Sequence, residues 1–81
     1  MAMGKIAVRN ERSTTLPVMV EMAADLFQLK PDERLEMTFD STDEPVEIEI
    51  SDEGLRIYPN ASHQPDFTID GKDATLRSWS D

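Results

Sequence analysis

From residue 35 onward the apolar residues recur at every second position, and this alternation constrains the fold more than any other feature of the chain. Leu35, Met37 and Phe39 alternate with Glu36, Thr38 and Asp40. Val46, Ile48 and Ile50 alternate with Glu47 and Glu49, and Leu55 and Ile57 alternate with Arg56 and Tyr58. Successive side chains of a strand project to opposite faces, so each run reads as a half-buried strand with one wet face. Asp52-Glu53-Gly54 supplies a hairpin turn between the second and third runs. Phe67 and Ile69 mark a further short strand, Asp70-Gly71 a turn, and Ala74 to Trp79 a last strand.

The first half carries a different pattern. Lys5 to Val8 reads as a short strand. Thr15 then stands as a candidate N-cap, with Pro17 near the first turn of a helix. Val18, Met22, Leu26 and Leu29 recur at helical spacing, with Met19, Ala23 and Phe27 widening the stripe and Glu21, Asp25 and Gln28 on the polar side. Pro31 ends that segment. The expectation is a single α+β domain over residues 1–81, in the order β-α-β-β-β-β-β. One helix packs on a mostly antiparallel sheet of about five to six short strands.

A chain of 81 residues has room for one modest core. Its 38% apolar and 31% charged content is that of a globular protein rather than a disordered one. A core of this size leaves little spare stability, so a homodimer or a bound partner would firm it up. Cysteine is absent, which removes disulfides and thiolate metal sites and fits a reducing compartment. The opening residues M-A-M-G-K-I-A-V-R-N hold no apolar run of signal-peptide or membrane-span length, so a cytoplasmic protein without membrane association is expected.

The net charge of −9 is unevenly distributed. Residues 1–39 hold 5 basic and 6 acidic side chains, a net of −1; residues 40–81 hold 3 basic and 11 acidic, a net of −8. The negative half repels phosphate backbones and attracts basic surfaces, so a basic protein is the expected partner and nucleic acid is disfavoured.

Little in the sequence suggests catalysis. His63 is the sole histidine and falls in N-A-S-H-Q-P, a loop-like stretch. Ser62 beside it makes no triad, since adjacency in sequence is not the geometry a triad needs. There is no Gly-rich phosphate loop and no H-E-x-x-H motif. The run Asp40 to Glu44 lacks the spacing of a calcium loop. Neither an enzymatic activity nor a cofactor or metal is expected.

The run from Asp40 to Glu53 is the most informative segment for function. It contains Asp40, Asp43, Glu44, Glu47, Glu49, Asp52 and Glu53, seven acids in fourteen positions with no base. Glu47 and Glu49 fall on one side of a strand, roughly 7 Å apart at the usual rise per residue. That is close to the separation of successive phosphates along a nucleic-acid strand, so such a row can imitate a backbone. Its plainer role is a solvated strand face, partly neutralised across the hairpin by Arg56. Tyr58 shares the outward side with Arg56, and exposed tyrosines beside charges are typical of binding surfaces. Trp79 closes the core or joins that surface. The candidate partner-binding residues are Glu36, Asp40, Asp43, Glu44, Glu47, Glu49 and Tyr58. A second set, Lys5, Arg9, Arg12, Lys30 and Arg34, gathers the cations of the less acidic half.

Two stretches carry a family resemblance. Thr15-Leu16-Pro17, and Leu29-Lys30-Pro31-Asp32-Glu33-Arg34-Leu35-Glu36, resemble the T-L-P and L-x-L-K-P-G-D-x-[LV]-E elements of the AbrB/MazE-like swapped-hairpin antitoxins and transition-state regulators. Gly54 to Pro59 (G-L-R-I-Y-P) resembles that family's closing strand. The similarity falls within residues 8–59. It implies an intertwined homodimer with DNA contacts on Arg9, Asn10 and Arg12. The chain departs from the pattern in a longer stretch between Pro17 and Leu29, in Asp32 where the turn glycine belongs, in an additional strand before Gly54, and in the residues after Pro59.

The leading expectation is therefore a small acidic inhibitor or antitoxin-like module of the kind found in phages and mobile elements, docking on a basic, nucleic-acid-binding protein. The alternatives are an AbrB-like DNA-binding dimer and a structural or assembly subunit.

Overall fold

The computed structural model describes residues 3–21, 25–40, 45–59 and 65–74, and within them the chain is all β. Eight strands follow in order: β1 (Met3–Arg9), β2 (Leu16–Val20), β3 (Asp25–Leu29), β4 (Arg34–Asp40), β5 (Glu47–Ser51), β6 (Gly54–Tyr58), β7 (Asp66–Ile69) and β8 (Lys72–Asp73). They form two four-stranded sheets, the first in the order β1-β4-β7-β8 and the second in the order β3-β2-β6-β5. Every pairing is antiparallel except β2 with β6.

The α+β expectation is overturned twice: the single sheet of five to six strands is two sheets of four, and the helix is absent from the described residues. Where a helix was expected after Thr15, the described residues hold the strands β2 and β3, paired from Leu16↔Leu29 to Val20↔Asp25. The burial pattern explains the outcome. Leu16, Val18 and Val20 point inward, as do Asp25, Phe27 and Leu29, a period of two on both arms. Two β-branched valines in β2 favour the pleated conformation. The helical stripe was an accident of register, since it put Val18, Leu26 and Leu29 on one side. The sheet instead buries Val18 and Leu29 and turns Leu26 outward beside Met19.

Pro17 pointed to a helix start because proline suits a first helical turn, and within a central strand it normally breaks a ladder. Here the ladder with β6 begins one residue later, at Val18↔Leu55, so the missing N–H costs that ladder nothing. Gly54 makes room for the arrangement: a Cβ on it would lie 2.2 Å from the Pro17 carbonyl oxygen, and its φ is +137°.

The remaining expected strands lie where the alternation put them, within one or two residues, and Asp52-Glu53 and Asp70-Gly71 are turns. Asp70 and Gly71 both have positive φ, the conformation a two-residue hairpin loop demands. Of the strand expected from Ala74 to Trp79 only Ala74 is described, and it follows the short β8 without belonging to it; the rest, including Trp79, lies outside the described residues.

The inward faces of the two sheets share one core. Leu35, Met37, Phe39, Phe67 and Ile69 come from the first sheet, and Leu16, Val18, Val20, Phe27, Leu29 and Ile57 from the second. The Phe27 and Phe67 rings meet across the sheets with centroids 4.7 Å apart and planes tilted by 53°. Such a tilted ring pair adds about 0.5–1.5 kcal/mol beyond its area burial.

Asn10 ties the two sheets at one end. It is fully buried. Its side-chain amide donates to the carbonyl oxygens of Thr14 and Leu29, each at 2.9 Å, and its Oδ1 accepts from the Arg12 N–H. Its backbone N–H donates to the Glu33 carbonyl, and its carbonyl accepts from the Asp32 N–H. One side chain thus fastens the β1–β2 loop to the end of β3, while its backbone holds the β3–β4 turn.

Candidate binding surface

The outward face of the second sheet gathers the acidic and aromatic side chains singled out above. Strand registers set it out in rows. Leu26, Met19, Arg56 and Glu49 stand side by side across β3, β2, β6 and β5, and Glu47 stands opposite Tyr58 in the next row. Alternation along β5 sends Glu47, Glu49 and Ser51 to this face and Ile48 and Ile50 to the other.

Side-chain bonds hold the face together. The Tyr58 hydroxyl donates to Glu49 Oε1 at 3.2 Å. Arg56 Nε lies 3.1 Å from Glu21 Oε2. The Arg56 guanidinium is pushed further above its ordinary value, first by Tyr58 and then by Glu21 and Glu49. Among the described residues, Glu21, Glu47 and Glu49 on this face and the exposed Asp52 and Glu53 of the adjoining turn outnumber the one base on it, Arg56, so the described patch is net negative. Beside it Pro17, Met19 and Leu26 form the half-buried apolar floor of a shallow depression walled by Glu49 and Arg56.

The candidate residues do not converge on one surface. Glu47, Glu49 and Tyr58 come together on the second sheet. Glu36 and Asp40 lie on the outward face of the first sheet, on the opposite side of the sandwich, where Glu36 is ion-paired with Arg34 and Asp40 stands opposite Met3. Asp43 and Glu44 fall outside the described residues, as do Ser62 and His63.

Three of the five cations come together, but among acids. Lys5, Arg9 and Arg34 share the first sheet's outward face with Glu36, Asp40 and Asp66. Arg12 and Lys30 lie in connections. Asn10, which the swapped-hairpin resemblance would set against DNA, has no exposed surface.

Glu21, Pro17, Met19 and Leu26 were missed as members of this surface. They fell inside the expected helix, which hid that Pro17, Met19 and Glu21 alternate with Leu16, Val18 and Val20. Among the described residues no group of three or more His, Asp or Glu side chains is arranged to hold a metal ion. None of the described residues forms a helix long and apolar enough to cross a membrane. Comparison with protein-family models, with curated proteins and with solved structures found no match.

Proposed function

We propose that this protein is a small acidic binding module without catalytic activity, an inhibitor or antitoxin-like protein that docks the outward face of β5 and β6 on a basic surface of a nucleic-acid-binding protein. The observation that carries this reading is the alignment of Glu47 and Glu49 on one side of an edge strand, with Tyr58 bonded to Glu49 beside them. Two carboxylates in a row at phosphate-like spacing suit a groove built for a nucleic-acid backbone. A tyrosine held at their edge supplies the kind of rigid amphipathic contact that dominates interface energetics. Among the described residues the one base on the face, Arg56, is engaged by Glu21, which leaves the described face negative.

The experiment is a pull-down with the tagged protein, with nuclease added, at low and high salt, repeated with the double reversal Glu47→Lys plus Glu49→Lys. Capture of a basic protein that is weakened by salt and lost on reversal is the expected result. Unchanged capture by the reversed variant would sink the reading. The DNA-binding alternative draws less support, since Asn10 is buried and the cations of β1 share their face with acids. A gel shift at low salt that is lost on Arg9→Ala plus Arg12→Ala would revive it.

A further inference from the structure

The acidic face has an open border. Among the described residues β5 is an edge of the second sheet, and all five of its residues, E-I-E-I-S, are exposed. Edge strands present unpaired N–H and C=O groups, and proteins commonly guard them with charged side chains (lysine above all), proline, a bulge or extreme shortness; the charges of β5 are the two glutamates, which repel a second acidic strand but not a basic one. β5 has no lysine and no proline, and its five residues pair with β6 in unbroken register. Of the other edges, β8 is two residues long, β1 carries Lys5 and Arg9, and β3 shares the lack of lysine and proline but buries every second residue, whereas β5 is exposed throughout.

The core-side face of β5 is open too. Ile48 and Ile50 stand beside Ile57 and Leu55, yet they are 48% and 80% exposed while Ile57 is buried. Among the described residues the apolar layer of the second sheet therefore runs one strand beyond its cover.

We infer that β5 is a strand-addition site, and that its occupant is an extended segment of a partner protein in which basic and aliphatic residues alternate. Strand addition takes affinity from backbone bonds and specificity from alternate side chains. An added strand lays every second side chain beside Ile48 and Ile50, where an aliphatic residue completes the apolar layer. The intervening side chains fall beside Glu47 and Glu49, where a lysine or arginine meets opposite charge. A second copy of β5 fits poorly: with Ile48 and Ile50 on the shared apolar side, the glutamates of the two copies face each other. This inference rests on the acidic-face reading and names the chemistry of its partner.

The test uses the full chain and a fluorescent six-residue peptide of alternating lysine and valine. Its controls are the same peptide N-methylated at alternate residues along one edge, and a block peptide of three lysines followed by three valines. The expected result is salt-sensitive binding of the alternating peptide, weakened tenfold or more by N-methylation, by blocking the sequence, and by Ile50→Lys. Ile50 is mostly exposed, so that variant keeps its fold, checked by circular dichroism; the methylated peptide tests the same point on the unaltered protein. Equal binding of methylated and unmethylated peptides would overturn strand addition and leave the acidic face standing. No binding of any basic peptide at low salt would overturn both. A dimer in sedimentation that Ile50→Lys disperses would assign the edge to a second copy and overturn the inference.

Discussion

The side-chain amide of Asn10 donates to the main-chain carbonyl of Leu29, 2.9 Å away across nineteen residues of chain, inside a site with no solvent exposure. Through that bond the loop leaving β1 is held to the end of β3, in the other sheet. Asn10→Ala removes two donors and one acceptor and leaves the Leu29 carbonyl without that partner. A buried group left unpaired costs about 1–3 kcal/mol, so a loss of about 2–4 kcal/mol is expected. Thermal unfolding should read it as a midpoint lowered by roughly 10–25 °C. Asn10→Asp keeps the acceptor for Arg12 but sets a carboxylate against two carbonyl oxygens, and is expected to be no more stable than the alanine variant.

Gly54 and Gly71 separate two reasons for a glycine. Both have positive φ, but a Cβ at Gly54 meets the Pro17 carbonyl at 2.2 Å, while a Cβ at Gly71 meets nothing within 4 Å. Gly71→Ala is expected to cost only the conformational term, about 1–2 kcal/mol. Gly54→Ala adds a backbone clash that no rotamer relieves, and is expected to abolish cooperative unfolding. Equal midpoints for the two variants would show that β2 and β6 do not approach as described.

What the sequence disclosed and what it hid divide along a physical line. Glu36, Glu47 and Glu49 make period two unmistakable in β4 and β5, because each strand has a polar face. In β2 and β3 both faces are largely apolar: Met19 and Leu26 are half-buried on the outside, opposite Val18 and Phe27 within. With little polar contrast, three- and two-residue periods fit the same letters, and Pro17 and Thr15 tipped the balance to a helix. The pairing of Glu47 and Glu49 with Tyr58 was readable from alternation around the Asp52-Glu53 turn. The separation of Glu36 and Asp40 from them was not, since it depends on which strands enter which sheet.

Asp32 occupies a left-handed position, with φ of 69°, directly after Pro31. The Glu33 N–H donates to the Lys30 carbonyl across this turn. Proline followed by a positive φ is the type II pattern, in which glycine is the favoured third residue. Asp32→Gly relieves the side-chain strain and keeps the N–H that Asn10 accepts; against this it loosens the unfolded chain. The expected net is a gain of roughly 0.5–1 kcal/mol, read as a midpoint raised by a few degrees. A lowered midpoint would mean that the Asp32 carboxylate supports the turn in a way the backbone does not require.

The contact of Phe27 with Phe67 tests whether the two sheets unfold together. Each ring is almost completely buried, and the two belong to β3 and β7, in different sheets. Phe27→Leu and Phe67→Leu each remove ring atoms from a shared core, and each is expected to cost about 1–3 kcal/mol. The double variant should lose less than the two single losses added, because the ring-to-ring contact can be broken only once. The expected coupling is about 0.5–1.5 kcal/mol, measured by a double-mutant cycle in denaturant. Strict additivity would mean that the rings do not meet, and that the second sheet presents its acidic face without support from the first. A measured coupling, with one transition in every variant, would show that β5 and β6 are held on a single cooperative sandwich. Glu47, Glu49 and Tyr58 would then meet a partner already in position, with little ordering cost on binding.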